Sequence, residues 1–272
     1  MEHIKRNERL TAMTRVLTGT PNRQYTLSFF CNMFGAAKST VSEDISILSA
    51  TFAKYDLGTI TTVAGAAGGV VFRAVPSKKK MIEGLEGISK RLSEGGRLLP
   101  GDFLYTTDLT CDSDNAQLLG EVLASRYYDK NPDFVLTMET KGIPVAMVTA
   151  RTMNIPLVIA RRDTKAYDGS AVRIHYMTGD DRVEMMALPR RAVTAGQKAL
   201  IIDDFMKGGG TLKGMHELMS EFNVTVVGTG VVIATAKPEK KSVDDVTALM
   251  ILSDVDNESG RAIVTPADWI YE

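Results

Sequence analysis

The sequence predicts an α/β protein with a small helix-rich N-terminal part and a larger C-terminal part built on a mostly parallel sheet. Up to residue 74, apolar residues at helical spacing are followed by two β-branched runs. Beyond residue 102, strand patterns alternate with helical patterns, which is the order of a parallel sheet covered by helices. With 272 residues, 44% of them hydrophobic, the chain is long enough for two cores.

Charge is distributed unevenly along the chain. Residues 1–80 contain 11 Lys and Arg against 5 Asp and Glu, whereas the remainder contains 21 against 28. We therefore expect the first part, and not the second, to meet a polyanion. Two cysteines and three scattered histidines argue against a disulfide framework and against a zinc or histidine-rich metal site. Without a signal peptide or a long apolar run, the chain is expected to be soluble and cytoplasmic.

The N-terminal part has the pattern of three helices. Residues 1–20 carry apolar side chains at helical spacing. A second helix is predicted to begin at a cap formed by Thr26 or Ser28 and to end at the Gly35 turn. A third helix follows, with its cap near Lys38–Ser39. Two short helices joined by a glycine-containing turn are typical of a helix-turn-helix unit.

Two β-branched runs, Gly58–Val63 and Gly69–Ala74, flank a glycine-rich tip at residues 64–68 and predict a hairpin. Helix, helix-turn-helix and hairpin follow each other as in a winged-helix DNA-binding domain. In that arrangement the third helix enters the major groove, while the first helix and the hairpin lie near phosphates. A solvated amphipathic face is the alternative interpretation of the same polar residues. The predicted DNA-binding residues are Lys5, Arg6, Arg9, Lys38, Ser39, Thr40, Ser42, Glu43, Lys54 and Arg73.

The C-terminal part begins after a predicted linker, Pro76–Lys80, and a helix at residues 81–94. Asp254–Gly260 is interpreted as a solvated turn, because its glycine falls one place too late for a calcium loop. Ligands of open α/β sheets bind outside the carboxyl ends of the strands. The predicted strands are Phe103–Thr106, Phe134–Met138, Leu157–Ala160, Ala199–Ile202, Val224–Thr235 and Leu249–Leu252; the helices are Asp114–Tyr128, Ile143–Met153 and one that starts at Thr211.

The stretch Ala199–Thr211 carries the most specific chemical signal. A buried strand is followed by Asp203 and Asp204, and then by Gly208–Gly210. Glycine amides can approach a phosphate closely, and the helix that follows presents its positive end to the anion. The two carboxylates would repel a phosphate and suit ribose hydroxyls or the waters of a divalent cation. The alternative is an ordinary glycine-rich turn; neither a Walker loop nor a Gly-x-Gly-x-x-Gly fingerprint is present.

This stretch resembles the phosphoribosyl pyrophosphate (PRPP) motif of type I phosphoribosyltransferases. With the winged helix in front of it, nearly the whole chain resembles the purine operon regulator family of Gram-positive bacteria. The resemblance implies residues 1–74 as a winged-helix DNA-binding domain and residues 75–272 as a type I phosphoribosyltransferase-like effector domain. It further implies a homodimer that binds double-stranded DNA at control sites of purine genes. PRPP would be its effector, with Mg²⁺ as an optional companion, and it would have no catalytic residues.

The same resemblance assigns a loop after the strand at 134–138 to the pyrophosphate group, and the hairpin region 163–195 to a mobile cover. A helix start with a surface lysine is the plain alternative for that loop, and Arg190–Arg191 are either solvated or help to hold an anion. The predicted PRPP-binding residues are Asp203, Asp204, Met206, Lys207, Gly208, Gly209, Gly210, Thr211, Thr140, Lys141, Gly142 and Arg161.

A second hypothesis is an active purine phosphoribosyltransferase with an appended N-terminal domain. It would turn over PRPP with a purine base. Its weakness is that residues 1–74, with their positive charge, then have no task. Moreover, no residue of the 163–195 region identifies itself as positioning a base or stabilising an oxocarbenium-like charge. The regulator is therefore the first hypothesis.

Overall fold

The computed structural model describes residues 4–65, 68–99, 103–163, 169–178, 182–256 and 261–272. The chain forms two compact units, one comprising Met1–Ser77 with Arg151–Asn154, the other Lys78–Ala150 with Ile155–Glu272. The predicted domain limits, 1–74 and 75–272, stay a prediction. None of the described helices is both long enough and apolar enough to cross a membrane.

The first unit consists of three helices and a small antiparallel sheet of order β1-β3-β2. Its core is a cluster of apolar side chains from all three helices and the hairpin, among them Met13, Phe30, Ile45 and Phe72. The strand β1 was not predicted, because three residues are too few to show a period. The elements are α1 (Arg6–Gly19), β1 (Gln24–Thr26), α2 (Leu27–Phe34), α3 (Lys38–Lys54), β2 (Thr59–Val63) and β3 (Gly69–Arg73).

The ends of α2 and α3 differ in how they are capped. The Thr26 hydroxyl accepts a hydrogen bond from the N–H of Phe29 at 3.2 Å, which confirms the predicted cap of α2. The cap of α3 near Lys38–Ser39 is wrong, because Ala37 occupies that position and offers no side-chain acceptor. Burial of the apolar face of α3 holds this helix in place instead. Residues 66–67 of the predicted hairpin tip lie outside the described residues.

The second unit is a six-stranded sheet of order β13-β12-β11-β10-β6-β7, parallel except for the β12–β13 pair. An antiparallel hairpin, β8–β9, packs beside it. The elements are α4 (Lys78–Leu92), β4 (Leu98–Leu99), β5 (Phe103–Leu104), α5 (Thr107–Thr110), α6 (Ser113–Ser125), β6 (Phe134–Met138), α7 (Ile143–Met153), β7 (Leu157–Ala160), β8 (Ala171–Met177), β9 (Val183–Pro189), β10 (Lys198–Met206), α8 (Gly210–Glu221), β11 (Thr225–Thr235), β12 (Val246–Asp256) and β13 (Arg261–Pro266), with short 3₁₀ turns at Tyr128–Lys130 and Asp268–Ile270.

Several predicted boundaries are wrong. The lysines of the proposed linker belong to α4, which begins at Lys78 because nothing in the run 78–80 opposes a helix. Strand β5 ends at Leu104. Residues 254–256 of the proposed solvated turn continue β12, which gains its ladder bonds from β13; residues 257–260 lie outside the described residues. The two strand errors show that the end of a strand depends on the partner it pairs with, and not on its own composition alone.

The sheet positions the carboxyl ends of β6, β10, β11 and β12 at one edge, because these strands run parallel to each other. Every residue of β6 is buried, and Leu200–Ile202 of β10 are fully buried, as expected for central strands covered on both faces. The polar residues that follow these apolar runs are thereby brought together at that edge.

Candidate functional site

A cavity of about 700 Å³ opens at this carboxyl edge of the second unit. Its walls come from the ends of β6, β10, β11 and β12, from the start of α8, and from the hairpin strand β8. This is where ligands bind in open α/β sheets. The lining residues are Leu104, Thr106, Met138, Glu139, Thr140, Lys141, Arg162, Tyr176, Asp203, Asp204, Phe205, Lys207, Thr211, Thr235, Lys237, Leu252, Ser253, Asp254 and Val255.

Asp203 and Asp204 form the floor of the cavity. They lie within β10 and not after it, because β10 continues its pairing with β11 to Met206. Asp203 is only 6% exposed, and its Oδ1 accepts a hydrogen bond from the N–H of Asp204 at 3.0 Å. Burial, followed by the charge of Asp204, raises the pKa of Asp203 well above its ordinary value. Burial also raises the pKa of Asp204, and the positive charge of Lys141 opposes that rise.

The loop after β6 reaches this carboxylate pair through Gly142. A Cβ at Gly142 would lie 2.6 Å from both Asp203 Oδ1 and Thr137 Oγ1, so only glycine fits there. The Glu139–Thr140 peptide bond in this loop is cis. The close approach places Thr140 and Lys141 in the cavity wall opposite the carboxylates. The two loops predicted from distant parts of the sequence therefore meet in one cavity.

The glycine-rich loop joins the cavity to α8. Gly209 has φ of +87° and is the N-cap of α8, a conformation that glycine adopts without strain. A Cβ at Gly210 would collide with the carbonyl oxygen of Met177 at the end of β8. Gly210 is thus needed for packing against the hairpin, a role that the sequence did not suggest. Lys207 and Thr211, on either side of these glycines, line the cavity.

A polar cluster beside the hairpin was missed by the sequence reasoning. The Tyr176 hydroxyl donates to Glu184 Oε2 at 2.9 Å, and burial together with Glu184 raises the pKa of Tyr176 to about 12. The Arg162 guanidinium lies 3.7 Å from the same carboxylate, and its backbone N–H donates to Glu139 Oε1 at 2.7 Å. The signal that could have identified the tyrosine is the alternation of apolar or aromatic with polar residues along 172–176, which places Val172 and Tyr176 on one face; both are buried.

Arg161 does not line the cavity, and its neighbour Arg162 does. The backbone of Arg161 forms a bridge with Ala187 of β9, with N···O distances of 3.0 and 2.7 Å, and its side chain is exposed. Successive side chains of extended backbone point to opposite faces, so a choice between adjacent arginines requires the register. The assignment of Arg161 to the cavity is therefore wrong. Arg190 and Arg191 are exposed and also stand outside the lining.

Of the predicted ligand residues, the others divide into two groups. Thr140, Lys141, Asp203, Asp204, Lys207 and Thr211 line the cavity. Met206 is buried in the core behind it, while Gly142 and Gly208–Gly210 shape the loops that form its wall.

In the first unit, the predicted DNA-binding residues lie mostly on the surface. Lys5 and Lys54 are exposed, as are Lys38, Ser39, Ser42 and Glu43 at the start of α3; Thr40 and Arg73 are half-buried. Arg6 is 51% exposed, and its guanidinium contacts the Glu43 carboxylate at 2.9 Å. The start of α3 is therefore a polar surface of mixed charge next to the basic start of α1.

Arg9 is the exception. It is 6% exposed, and its Nε donates to Asp44 Oδ2 at 2.6 Å; Asp44 itself is fully buried. The hydrogen bond that Arg9 donates to Asp44 raises the pKa of Arg9, so the guanidinium stays charged. The predicted phosphate contact by Arg9 is wrong, because this side chain is used inside the unit to join α1 to α3.

The fold and the cavity define a class: a winged-helix unit joined to a phosphoribosyltransferase-type α/β unit. A family model described as "Bacterial purine repressor, N-terminal" matches residues 5–74, and one described as "Phosphoribosyl transferase domain" matches residues 112–267. The purine biosynthesis transcriptional repressor PurR of Bacillus subtilis is 37% identical over 253 residues, which cover 93% of this chain and 89% of that one. The chain belongs to the PurR family of purine biosynthesis regulators.

Two further comparisons agree with this assignment. The purine biosynthesis transcriptional activator PurR of Lactococcus lactis is 35% identical over 254 residues, covering 93% of this chain and 94% of that one. The crystal structure of adenine phosphoribosyltransferase from Thermoanaerobacter pseudethanolicus matches 61% of this chain and 98% of that one, with a TM-score of 0.54 and 21% identity, which shows the fold alone. The family and fold predictions are confirmed. Both whole-chain relatives are named as transcriptional regulators and not as enzymes.

Proposed function

We propose that this protein is a DNA-binding transcriptional regulator of purine biosynthesis and salvage genes, with PRPP as the effector bound in the cavity of the second unit. The observation that carries the proposal is the carboxylate pair of the buried Asp203 and the half-buried Asp204, which lines one cavity together with Lys141 and with Thr211 at the start of α8. Buried carboxylates with raised pKa values in a cavity indicate a ligand site.

Each part of PRPP has a matching part of the cavity. The 5′-phosphate suits the start of α8, where the first N–H groups have no partner within the helix. The ribose hydroxyls can donate to the carboxylates of Asp203 and Asp204. The pyrophosphate suits Thr140, Lys141 and Arg162, and two more cations, Lys207 and Lys237, line the same cavity. In this arrangement cations would meet the charged ends of PRPP, and Asp203 and Asp204 would meet its hydroxyl-bearing middle; Glu139 and Asp254 also line the cavity.

Mg²⁺ would be a companion of the ligand. Among the described residues no group of three His, Cys, Asp or Glu side chains could hold a metal ion by itself. Mg²⁺ is commonly bound through one or two carboxylates together with phosphate oxygens and waters. Asp203 and Asp204 provide that number of carboxylates and would hold the ion beside the pyrophosphate.

The first unit would bind double-stranded DNA at purine gene promoters. The exposed start of α3, with Lys38 and Ser39, would enter the major groove, while Lys5 and Arg6 of the α1 start would neutralise phosphates. A homodimer would present two such units to two half-sites of the DNA. A DNA partner would also place the protein in the cytoplasm. PRPP would act by binding more tightly to one of two arrangements of the dimer, which differ in affinity for DNA.

The central test removes the carboxylate pair. Asp203→Ala with Asp204→Ala abolishes the response of DNA binding to PRPP, because the ribose loses its acceptors, while DNA binding without PRPP persists. Fluorescence anisotropy with a purine promoter fragment, with and without PRPP and Mg²⁺, measures both quantities; we expect PRPP to change the wild-type affinity by roughly 5- to 150-fold. Glu239→Ala with Asp244→Ala removes the same charge from exposed positions and keeps the response. An intact response in the Asp203/Asp204 variant contradicts the proposal.

A second test addresses the DNA contacts. Lys5→Ala with Arg6→Ala weakens binding to promoter and unrelated DNA alike, because phosphate contacts carry no sequence information. The slope of log K against log salt falls by about one for each lost contact. Lys130→Ala with Lys198→Ala, two exposed lysines of the second unit, is the charge-matched control. Unchanged affinity and slope in the Lys5/Arg6 variant would refute the assignment.

A further inference from the structure

A short segment behind the glycine-rich loop makes contacts that none of the roles above explains. After β11, residues 236–242 return alongside the loop and form what we call the backing segment. The Lys241 ammonium donates to the carbonyl oxygen of Lys207 at 2.6 Å, and to the carbonyl oxygen and hydroxyl of Thr235 at 2.7 and 3.1 Å. The N–H of Ser242 donates to the carbonyl oxygen of Gly208 at 2.9 Å. Two consecutive carbonyls of the loop are thus held from the same side.

The geometry of the peptide unit also fixes the direction in which the amide N–H groups of this loop point. In a planar trans peptide, the C=O of one residue and the N–H of the next point in opposite directions. Because the carbonyls of Lys207 and Gly208 point to the backing segment, the N–H groups of Gly208 and Gly209 point away from it. Gly209 is the N-cap of α8, so these amides stand beside the unpartnered N–H groups of the first helical turn. Successive amides arranged in this way form an anion-binding nest.

Lys241 does not belong to the cavity lining. Its three hydrogen bonds use all three donors of an ammonium group, and each goes to a backbone or hydroxyl oxygen of Lys207 or Thr235. Burial lowers its pKa, in accord with an ammonium that has been drawn partly out of water. The glycines that it backs have no side chains of their own to fix the loop, and glycine loses more conformational freedom on ordering than any other residue.

We propose that Lys241 is a positioning residue for the ligand phosphate: it holds the Lys207–Gly209 peptides with their amides facing the phosphate, without touching the ligand. This inference rests on the proposed function of the cavity. It predicts an effect confined to one end of the ligand, since the hydrogen bonds of Lys241 go to Lys207 and Thr235 and none goes to the loop at residues 139–142. Loss of Lys241 lets the glycine loop become disordered in the free protein, so binding a phosphate there has to order it again.

The test compares partial ligands on the full chain by isothermal titration calorimetry at concentrations up to millimolar. Ribose 5-phosphate reports on the α8 end, inorganic pyrophosphate on the 139–142 loop, and PRPP on both. Lys241→Met keeps the apolar stem and removes the donors. We expect it to weaken ribose 5-phosphate and PRPP by about tenfold or more, the effect of losing a hydrogen bond to a charged group. Pyrophosphate binding should stay within about twofold of wild type, and Lys241→Arg should regain part of the loss.

Lys240→Met is the matched control, because Lys240 is the exposed neighbour in the same segment. Unchanged ribose 5-phosphate affinity in Lys241→Met overturns the proposal, and so does an equal loss for pyrophosphate, which would indicate general damage to the cavity. If Lys241→Met does not fold, Lys241→Leu, which also removes all three donors, is measured in its place against the same two outcomes. A wild-type chain that binds none of the three compounds refutes the proposed function itself, and this result is distinct from a failure of the Lys241 variants.

Discussion

Asp203 and Asp204 place two adjacent carboxylates inside a cavity, and burial raises the pKa of both. For an acid whose pKa is higher in the folded than in the unfolded chain, the contribution to stability is fully present below the unfolded pKa. It is lost as the pH rises through the folded pKa. Because of these two residues, the ligand-free protein becomes less stable as the pH rises. A ligand whose hydroxyl groups donate hydrogen bonds to the carboxylates reduces this loss of stability. Stability and ligand binding make opposite demands at this position.

Asp203→Asn should accordingly raise the melting temperature of the ligand-free protein at pH 8. The gain should shrink as the pH falls through the raised pKa of Asp203, because the wild-type carboxyl is then increasingly protonated and only the charged form carries the desolvation cost. Roughly 1 kcal/mol corresponds to 2–4 °C in a domain of 150–250 residues, so the shift should be a few degrees. Differential scanning calorimetry across this pH range measures it, with the exposed Asp244→Asn as control. A lower melting temperature for Asp203→Asn at pH 8 would contradict the argument.

At the residue level, local motifs were sufficient to predict that Asp203, Lys141 and Thr211 line the cavity. In each case a strand, a loop and a helix start follow each other within a few residues. Local motifs were insufficient where the position of a residue depended on which face of the backbone its side chain occupies. Arg161 and Arg162 are indistinguishable in sequence, and the bridge to Ala187 decides between them. Arg9 reads as one basic residue among several, since its partner Asp44 lies 35 positions away.

The same Arg9–Asp44 pair is the principal polar contact between α1 and α3. Asp44 also receives Arg6 at 3.4 Å, so one buried carboxylate of α3 organises two arginines of α1. In the proposed DNA complex, the orientation of α3 relative to the start of α1 would decide which side chains reach a groove and which reach phosphates. A buried ion pair of this kind fixes that orientation, and removing one partner lowers the free energy of unfolding strongly.

Asp44→Ala leaves the Arg9 guanidinium buried without its carboxylate. We expect the first unit to lose about 3–5 kcal/mol of its free energy of unfolding, the usual cost of an uncompensated buried charge. Chemical denaturation followed by circular dichroism provides the measurement. Arg9→Met with Asp44→Leu should recover most of the loss, while Lys79→Ala with Glu83→Ala, which breaks an exposed pair, should cost less than about 1 kcal/mol. A loss below about 1 kcal/mol for Asp44→Ala would show that the pair does not hold the unit together.

Among the elements, β6, α7 and β7 have the bounds that the sequence predicts. Their patterns are mainly apolar, and polar, glycine or proline residues flank them. The strand β13 was missed, because its burial alternates while its composition includes arginine, threonine and proline, which mask a strand pattern. The strand β10 is longer than the sequence predicts. Acidic residues argue against a strand, and pairing with β11 extends β10 through Asp203 and Asp204.

At the scale of the whole molecule, charge is divided unevenly along the chain. The first 80 residues carry the excess of Lys and Arg, and the remainder carries the excess of Asp and Glu. PRPP would add further negative charge to the already acidic part when it binds. A response of DNA binding to this ligand is a coupling free energy between two sites, and such a coupling is reciprocal.

Reciprocity gives the strictest test of the regulator. If PRPP changes the affinity for promoter DNA by some factor, promoter DNA must change the affinity for PRPP by the same factor and in the same direction. Calorimetric titration of PRPP into the protein, free and saturated with promoter DNA, measures the second factor, while anisotropy measures the first. DNA that lacks the promoter sequence serves as the control, matched in length and salt because phosphate contacts are salt-dependent. If the two factors disagree beyond experimental error, a change in oligomeric state or a second PRPP site takes part. A model of a dimer with one PRPP site per protomer would then have to be abandoned.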